Sequence, residues 1–465
     1  MSDRVGRVVV ALAVGYAVVL STITILKLVG FTAEHDLGIF AQYLWLLGHF
    51  HSPFGTIALR PMLDDHFDPT FALLAPLGAV GLQAAGLLVV QAVSLAIVAP
   101  LLLVLARRHG ASGWLAAVPS VLWLVSPVVI KVNLFDYHPD TLLPALLIGA
   151  VLALETNRQW LFVVLLVLAT GAKEDAGLTV AALGVVLAWT GRRRLGVTVA
   201  VAGAAWSVSV MFVVLPHRNA VVRDSYAKLF AGDRGNSLGD VLVYAVHHPL
   251  DTVASTLTLD KLGILVLLVA TAGGLCLLAA RWMLVAVPVT AVNLLSAYEP
   301  QSRLEYHYWI VPVGGLALAA AVGAGRLPVE WRRPWLKGSA VTGLLLAMLS
   351  LGALSTTIGD VHRAWPDRAN RAAIVAAVPD GASVAVPEYY FGPLAGRVGL
   401  YAIPEPFAPF GPATEWGSAE RAAAVANLDA VIVDEALRER PPEGALERNG
   451  FHPAVRHGRI TLYLR

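Results

Sequence analysis

Residues 160–194 read WLFVVLLVLATGAKEDAGLTVAALGVVLAWTGRRR. Two apolar runs, 160–172 and 176–190, flank Lys173-Glu174-Asp175, and the second run ends on Arg192-Arg193-Arg194. Lys/Arg-rich loops stay in the cytoplasm, so the arginine triplet and the Lys-Glu-Asp turn mark opposite sides of a membrane. The pattern extends outward in both directions. Arg107-Arg108 and Arg332-Arg333 also follow apolar runs. Glu34-His35-Asp36, Asp64-Asp65-His66-Phe67-Asp68 and Asp136-Tyr137-His138-Pro139-Asp140 occupy the alternate gaps. The fold class is therefore an α-helical polytopic membrane protein whose acid-and-histidine clusters share one extracytoplasmic compartment.

Bulk composition agrees. Of 465 residues, 57% are hydrophobic and only 14% charged. That is more apolar surface than a water-soluble domain can hide. Apolar stretches of about 18 residues recur, each long enough for a hydrocarbon core. The net charge of +2 says little about partners, and with no basic tract to argue for it, nucleic acid is not an expected partner. Cys276 is the sole cysteine, which excludes an internal disulfide and a cysteine metal site. The excess of alanine, valine and arginine associates with a GC-rich bacterial genome, hence with a bacterial cell membrane.

With Arg4 and Arg7 inside, the N-terminus is cytoplasmic and 8–29 is the first span. Further spans are expected at 82–106, 114–130, 142–154, 160–172, 176–190, 195–215, 262–280, 283–295, 309–324 and 341–357, about eleven in all. In the first outer loop, Leu37, Phe40, Leu44 and Leu47 recur at helical spacing. They predict an interfacial amphipathic helix over 37–50. Residues 71–80 are too short to span and read as re-entrant. A second interfacial helix is expected at 238–246 in the outer loop 216–260. Composition shifts at Gly359, giving a membrane domain (1–358) and a polar domain (359–465). The latter has strands at 383–386, 398–403, 430–433 and 460–464, with helices at 368–378, 418–426 and 435–440. That alternation predicts a small α/β domain, extracytoplasmic by parity.

Each cluster admits a structural and a chemical reading. Asp36 either caps the helix that follows it or acts as a general base on an acceptor hydroxyl. Asp64 to Asp68 is either a hydrated loop or, through Asp65 and His66, a ligand set for a hard divalent cation such as Mg or Mn. Pro139 and Asp140 suit a helix start, while Asp136 and His138 suit a substrate site. Lys173 either neutralises Glu174 and Asp175 or meets a phosphate as a point charge. In the 298–309 segment, Arg303 could bind phosphate bidentately. Tyr306, Tyr308 and Trp309 form an aromatic belt or stack on a sugar. His307 joins this outer set.

The order Asp-Leu-Gly-Ile-Phe-x-Gln (Asp36 to Gln42), Asp-His-Phe-x-Pro (Asp65 to Pro69), Phe-Asp-Tyr-His-Pro-Asp (Phe135 to Asp140) and Lys-Glu-Asp resembles the DUF2079 family of bacterial and archaeal membrane proteins. Ala-Val-Asn-Leu-Leu-Ser (Ala291 to Ser296) and the tail's Leu-Asp-Ala-Val-Ile-Val-Asp fit as well. That family is similar to GT-C membrane glycosyltransferases. The resemblance implies a GT-C-like fold, a polyprenyl-phosphate sugar donor and a cell-envelope acceptor. It puts the base on Asp36. Glu34, His35, Gln42, Asp136, His138, Lys173, Glu174, Asp175, Arg303 and His307 are the expected substrate contacts, and Asp65 and His66 the metal ligands. A transporter or flippase, or a non-catalytic envelope assembly protein, is the competing expectation. Charges clustered at one face, with no inverted repeat, speak against transport.

Overall fold

The computed structural model describes residues 3–218, 220–408 and 417–465. The chain is mostly helical, as a membrane chain must be when backbone polar groups find no water. Among the described residues, six helices are long and apolar enough to cross a membrane, or eight if two bent pairs each count as one span. The six are Arg4–Val29, Gln83–Arg108, Gly113–Leu134, Arg193–Arg218, His307–Ala324 and Val329–Ala377.

The expected eleven spans are not confirmed, and geometry says why. Leu143–Glu155, Gln159–Thr170 and Ala176–Trp189 have 13, 12 and 14 residues. At 1.5 Å per residue they reach only about 18–21 Å, short of a core of roughly 30 Å. The run 262–280 is broken at Gly273 and Gly274, both with positive φ. The next pair, Leu275–Met283 and Val287–Leu295, is bent by 89°.

The chain divides into two compact units. The first comprises residues 1–20, 66–71 and 90–355. Its helices approach through small residues. A Cβ added at Gly184 would lie 2.3 Å from the Ala200 nitrogen, and one at Gly203 would lie 2.6 Å from the Gly177 carbonyl. Such backbone contact holds membrane helices together where no hydrophobic force acts between them. One end of this unit is basic. Arg107 pairs with Asp3 at 2.6 Å, and Arg108 and His109 both reach Glu155, at 3.0 and 2.9 Å. Leu143–Glu155 and His307–Ala324 then carry the chain between that end and the opposite one, where Asp140 and His307 lie.

The second unit comprises residues 21–65, 72–89 and 356–465. Its five strands in the tail are β3 (Val384–Val386), β4 (Leu400–Ala402), β5 (Ala430–Asp434), β6 (His452–His457) and β7 (Ile460–Leu464), after a small hairpin of β1 (Phe54–Gly55) and β2 (Arg60–Pro61). The sheet order is β4-β3-β5-β7-β6. β3 runs parallel to β4 and β5, while β7 is antiparallel to β5 and β6. Four of these strands match the expected positions. β6 was not expected, because its polar residues and Pro453 suit only an edge.

The expected helix over 435–440 is absent. The Asp434 carboxylate accepts from the Ala436 amide at 2.9 Å and starts a turn instead. The composition shift at Gly359 falls within one continuous helix, Arg332–Ala364, close to residue 356, where the last segment of the second unit begins.

The helix expected to lie amphipathically at the interface is also corrected. It spans His35–Gly48, and nine of its residues are buried, including Leu37 to Leu44 without interruption. Gly78 and Gly48 let the segment Ala75–Ala79 touch its backbone. Phe391 covers Gly38 on another side. Protein, more than lipid, surrounds this helix.

Candidate functional site

The first unit buries a linked set of ionisable side chains. Asp140 lies in the short 3-10 turn Pro139–Leu142, ahead of Leu143–Glu155. Its Oδ2 accepts from His307 Nδ1 at 2.5 Å and from Lys173 Nζ at 3.3 Å. His138 stacks on His307 with centroids 3.7 Å apart and planes 11° apart. Phe135 stacks on the other side of this group, 5.2 Å from His138. Lys173 Nζ stands 5.4 Å over the Tyr308 ring. One residue on, Glu174 meets His66 at 3.1 Å and accepts from the Phe67 amide at 3.3 Å.

Local structure explains why these residues meet. Gln91, fully buried, donates to the carbonyls of Val132, Asn133 and Asp136 and accepts from the His138 amide. One side chain thus shapes the whole 132–138 turn. His138 Nδ1 lies 3.1 Å from the Asp136 carbonyl, which fixes its ring. Thr70 bonds the carbonyls of Leu168 and Gly171, holding the His66 segment to the Lys-Glu-Asp turn. Asn293 donates to the Tyr308 carbonyl at 2.8 Å.

The charges stabilise one another. Burial opposes ionisation of Asp140, but His307 and Lys173 outweigh it and hold the carboxyl well below the usual range. Burial likewise opposes the Lys173 charge, and Asp140, Asp175 and Glu174 reverse it, so the ammonium persists. Glu174 is held down to about 2 by His66 and Lys173 in spite of burial. Asp175 goes the other way: burial pushes its carboxyl up to about 6, and Lys173 only partly offsets this. Asp140 Oδ1 is buried and has no hydrogen-bond partner among the described residues. An ionised carboxylate with one open oxygen is a ready acceptor for a hydroxyl.

Of the expected site residues, His66, Asp136, His138, Lys173, Glu174, Asp175 and His307 all belong to this unit. Arg303 does too, but it is exposed and paired with Glu299. Asp36, Glu34, His35 and Gln42 belong to the second unit. Asp36 is not the helix cap: Glu34 holds the N-cap position, and Asp36 sits half-buried in the first turn, where a carboxylate suits the helix dipole. Glu34 is exposed, and His35 packs edge-on against Phe391. Gln42 is a brace. It is fully buried, bonds Thr56 through both ends of its amide, and reaches the Val398 carbonyl at 3.0 Å.

The Asp65 side chain lies outside the described residues, and His66 turns to Glu174. Among the described residues, no three His, Cys, Asp or Glu are grouped to hold a metal ion. Two contributors were missed from sequence: Asp140, read there as a helix starter, and Gln91; Tyr308 is read there as an aromatic that lines a belt or stacks on a sugar. A glutamine inside an apolar run is the one signal that could have flagged Gln91.

The DUF2079 family, described as predicted membrane proteins, matches residues 27–447. The chain belongs to this family. As a DUF2079 protein it is also similar in fold to ArnT from Cupriavidus metallidurans, solved bound to undecaprenyl phosphate. The identity is 13% and the TM-score 0.51, over 98% of this chain and 97% of that one. The fold expected from the motifs thus stands in part: the chain is mostly helical, ends in a small sheet domain and is ArnT-like in fold. No curated protein sequence matches this DUF2079 chain.

Proposed function

We propose that this DUF2079 protein is an integral membrane glycosyltransferase. It moves a sugar from a polyprenyl-phosphate donor to an extracytoplasmic glycan, lipid or protein. The supporting observation is the end-to-end fold likeness to a chain solved with undecaprenyl phosphate. In this reading the Asp140 end of the first unit faces outward, the basic end faces the cytoplasm, and the tail domain is extracytoplasmic.

The acceptor oxygen attacks the anomeric carbon of the sugar. The carbon–oxygen bond to phosphate breaks, and its electron pair leaves on the phosphate. The acceptor proton passes to Asp36. Lys173 and Arg303 offset charge on the phosphate. The open Oδ1 of Asp140 accepts a hydroxyl of the sugar. His138, His307 and Tyr308 supply flat faces beside it.

The test is transfer by the purified chain in nanodiscs, with a panel of radiolabelled polyprenyl-phosphate sugars and envelope acceptors. Turnover with one donor is expected, and Asp36→Ala should reduce it by about 10²–10⁴-fold. Donor moved across the bilayer with its glycosidic bond intact would replace the enzyme reading with the flippase one. Turnover that survives EDTA would remove the divalent cation proposed at Asp65 and His66.

A further inference from the structure

Several helices end in the same left-handed cap, and one of them is anomalous. In this cap the residue after the helix takes a positive φ, and the next amide bonds back to the helix carbonyl five residues earlier. Glycine holds that position at Gly81, Gly110 and Gly191, and asparagine does at Asn157. Phenylalanine holds it twice, at Phe31 (φ 57) and Phe50 (φ 58). The bonds are alike. Thr32 donates to the Lys27 carbonyl at 2.9 Å and His51 to the Leu46 carbonyl at 2.9 Å. A bulky residue there is strained by about 1–3 kcal/mol and persists only where its surroundings repay it.

For Phe31 the repayment is visible. It is 5% exposed, with its ring 5.2 Å from Tyr390. Phe50 is 97% exposed. No described residue covers a ring held out in a costly backbone state.

What lies beside it identifies the cover. Two residues earlier, Gly48 is in backbone contact with Ala79. Val80 and Leu82 follow, exposed by 68% and 49%, and the apolar span Gln83–Arg108 starts at the next residue. Four residues of chain reach at most about 14 Å, so Ala79 and its contact are held close to the level where that span begins. Trp45, stacked by His49 at 4.6 Å and His51 at 5.4 Å, adds an amphipathic ring of the kind enriched at that level.

We infer that Phe50, with Val80 and Leu82, is a membrane anchor whose partner is the lipid bilayer at its headgroup–acyl boundary. The His35–Gly48 helix is buried in protein along its length and meets lipid through its C-terminal cap. The anchor holds Asp36, at the other end of that helix, at a fixed height over the bilayer. The inference needs no transferase activity.

The chain's only cysteine, Cys276, is buried, which makes a clean label background. Phe50→Cys and, separately, Val80→Cys in a Cys276→Ser chain would carry an environment-sensitive fluorophore in lipid nanodiscs. Glu447→Cys, at an exposed charged site in the tail domain, is the water-facing reference. Blue-shifted emission is expected at positions 50 and 80, with roughly half or more of it quenched by brominated acyl chains. Position 447 should stay unquenched. Emission at position 50 as red and as unquenched as at 447 would overturn the anchor. So would a blue shift that depends on protein concentration and ignores bromine, since a second copy would then be the cover.

Discussion

Asp140 and Asp434 are 3% and 1% exposed, one in each compact unit, and they are finished differently. Asp434 is closed. Its Oδ2 takes Arg371 Nε at 3.0 Å and the Tyr390 hydroxyl at 2.9 Å, and its Oδ1 takes the Ala436 amide. Arg371 also reaches the Phe31 carbonyl at 3.4 Å, so this pair ties the tail domain to the end of the first helix. Asp140 is open. Both of its cationic or imidazole partners share Oδ2, and Oδ1 has none among the described residues. A buried carboxylate satisfied on every side holds structure. One satisfied on one side only is the place for a substrate to finish the job.

The largest test of that contrast is Arg371→Ala. It strands Asp434 without its cation, and a broken buried pair costs about 3–5 kcal/mol. The purified variant should melt well below the parent, while any folded fraction keeps its transfer rate. Asp140→Asn should do the reverse. Lys173 retains Glu174 and Asp175 nearby, so stability falls less than in Arg371→Ala. Transfer should drop roughly 100-fold or more, as when a preorganised polar contact at the reacting substrate is removed. Equal melting losses in the two variants would erase the distinction between open and closed carboxylates.

Asp175 sharpens it further through pH. Its carboxyl is pushed up to about 6, from an ordinary 3.8, by burial. Between those values the unfolded chain has released its proton and the folded chain has not. Stability is therefore lost as pH rises through that window, and the loss is complete above it. Asp175→Asn removes the loss. The variant should melt higher than the parent at pH 8 and equally at pH 4. A difference that stays constant with pH would show that Asp175 is not strained by its surroundings.

Sequence made two chemically distinct ends of the first unit legible because charge in loops is a strong and simple signal. Arg107 meets Asp3 and Arg108 meets Glu155 at one end, and Asp140, Lys173 and His307 meet at the other. The tail strands were legible from short apolar runs such as Ala430 to Val433. Span count was not, because an apolar run does not show a bend such as that at Gly273 and Gly274. The roles of Gln42 and Gln91 were hidden for another reason: their partners are backbone atoms, which every residue has. The Arg371–Asp434 pair lies 63 residues apart in sequence, and although Asp434 ends the Leu-Asp-Ala-Val-Ile-Val-Asp motif, Arg371 stands in none. Phe50 reads in the sequence only as the end of an amphipathic helix over 37–50. Only its backbone angle separates it from one.

The smallest test removes a single bond from the closed carboxylate. Tyr390→Phe takes the hydroxyl from Asp434 Oδ2 and leaves the Arg371 bond, the Ala436 bond and the ring packing on Phe31 in place. One hydrogen bond to a charged, buried acceptor is worth about 1.5–3 kcal/mol, less whatever the remaining guanidinium recovers by moving closer. A loss near the lower bound is expected in chemical unfolding, clearly below that of Arg371→Ala. If Tyr390→Phe costs as much as Arg371→Ala, the hydroxyl and the guanidinium act as one unit. Asp434 would then be closed by a network instead of a pair. That would widen the gap between the two units, because the Asp434 network is closed by protein groups alone, whereas the set around Asp140 leaves one carboxylate oxygen unfilled among the described residues.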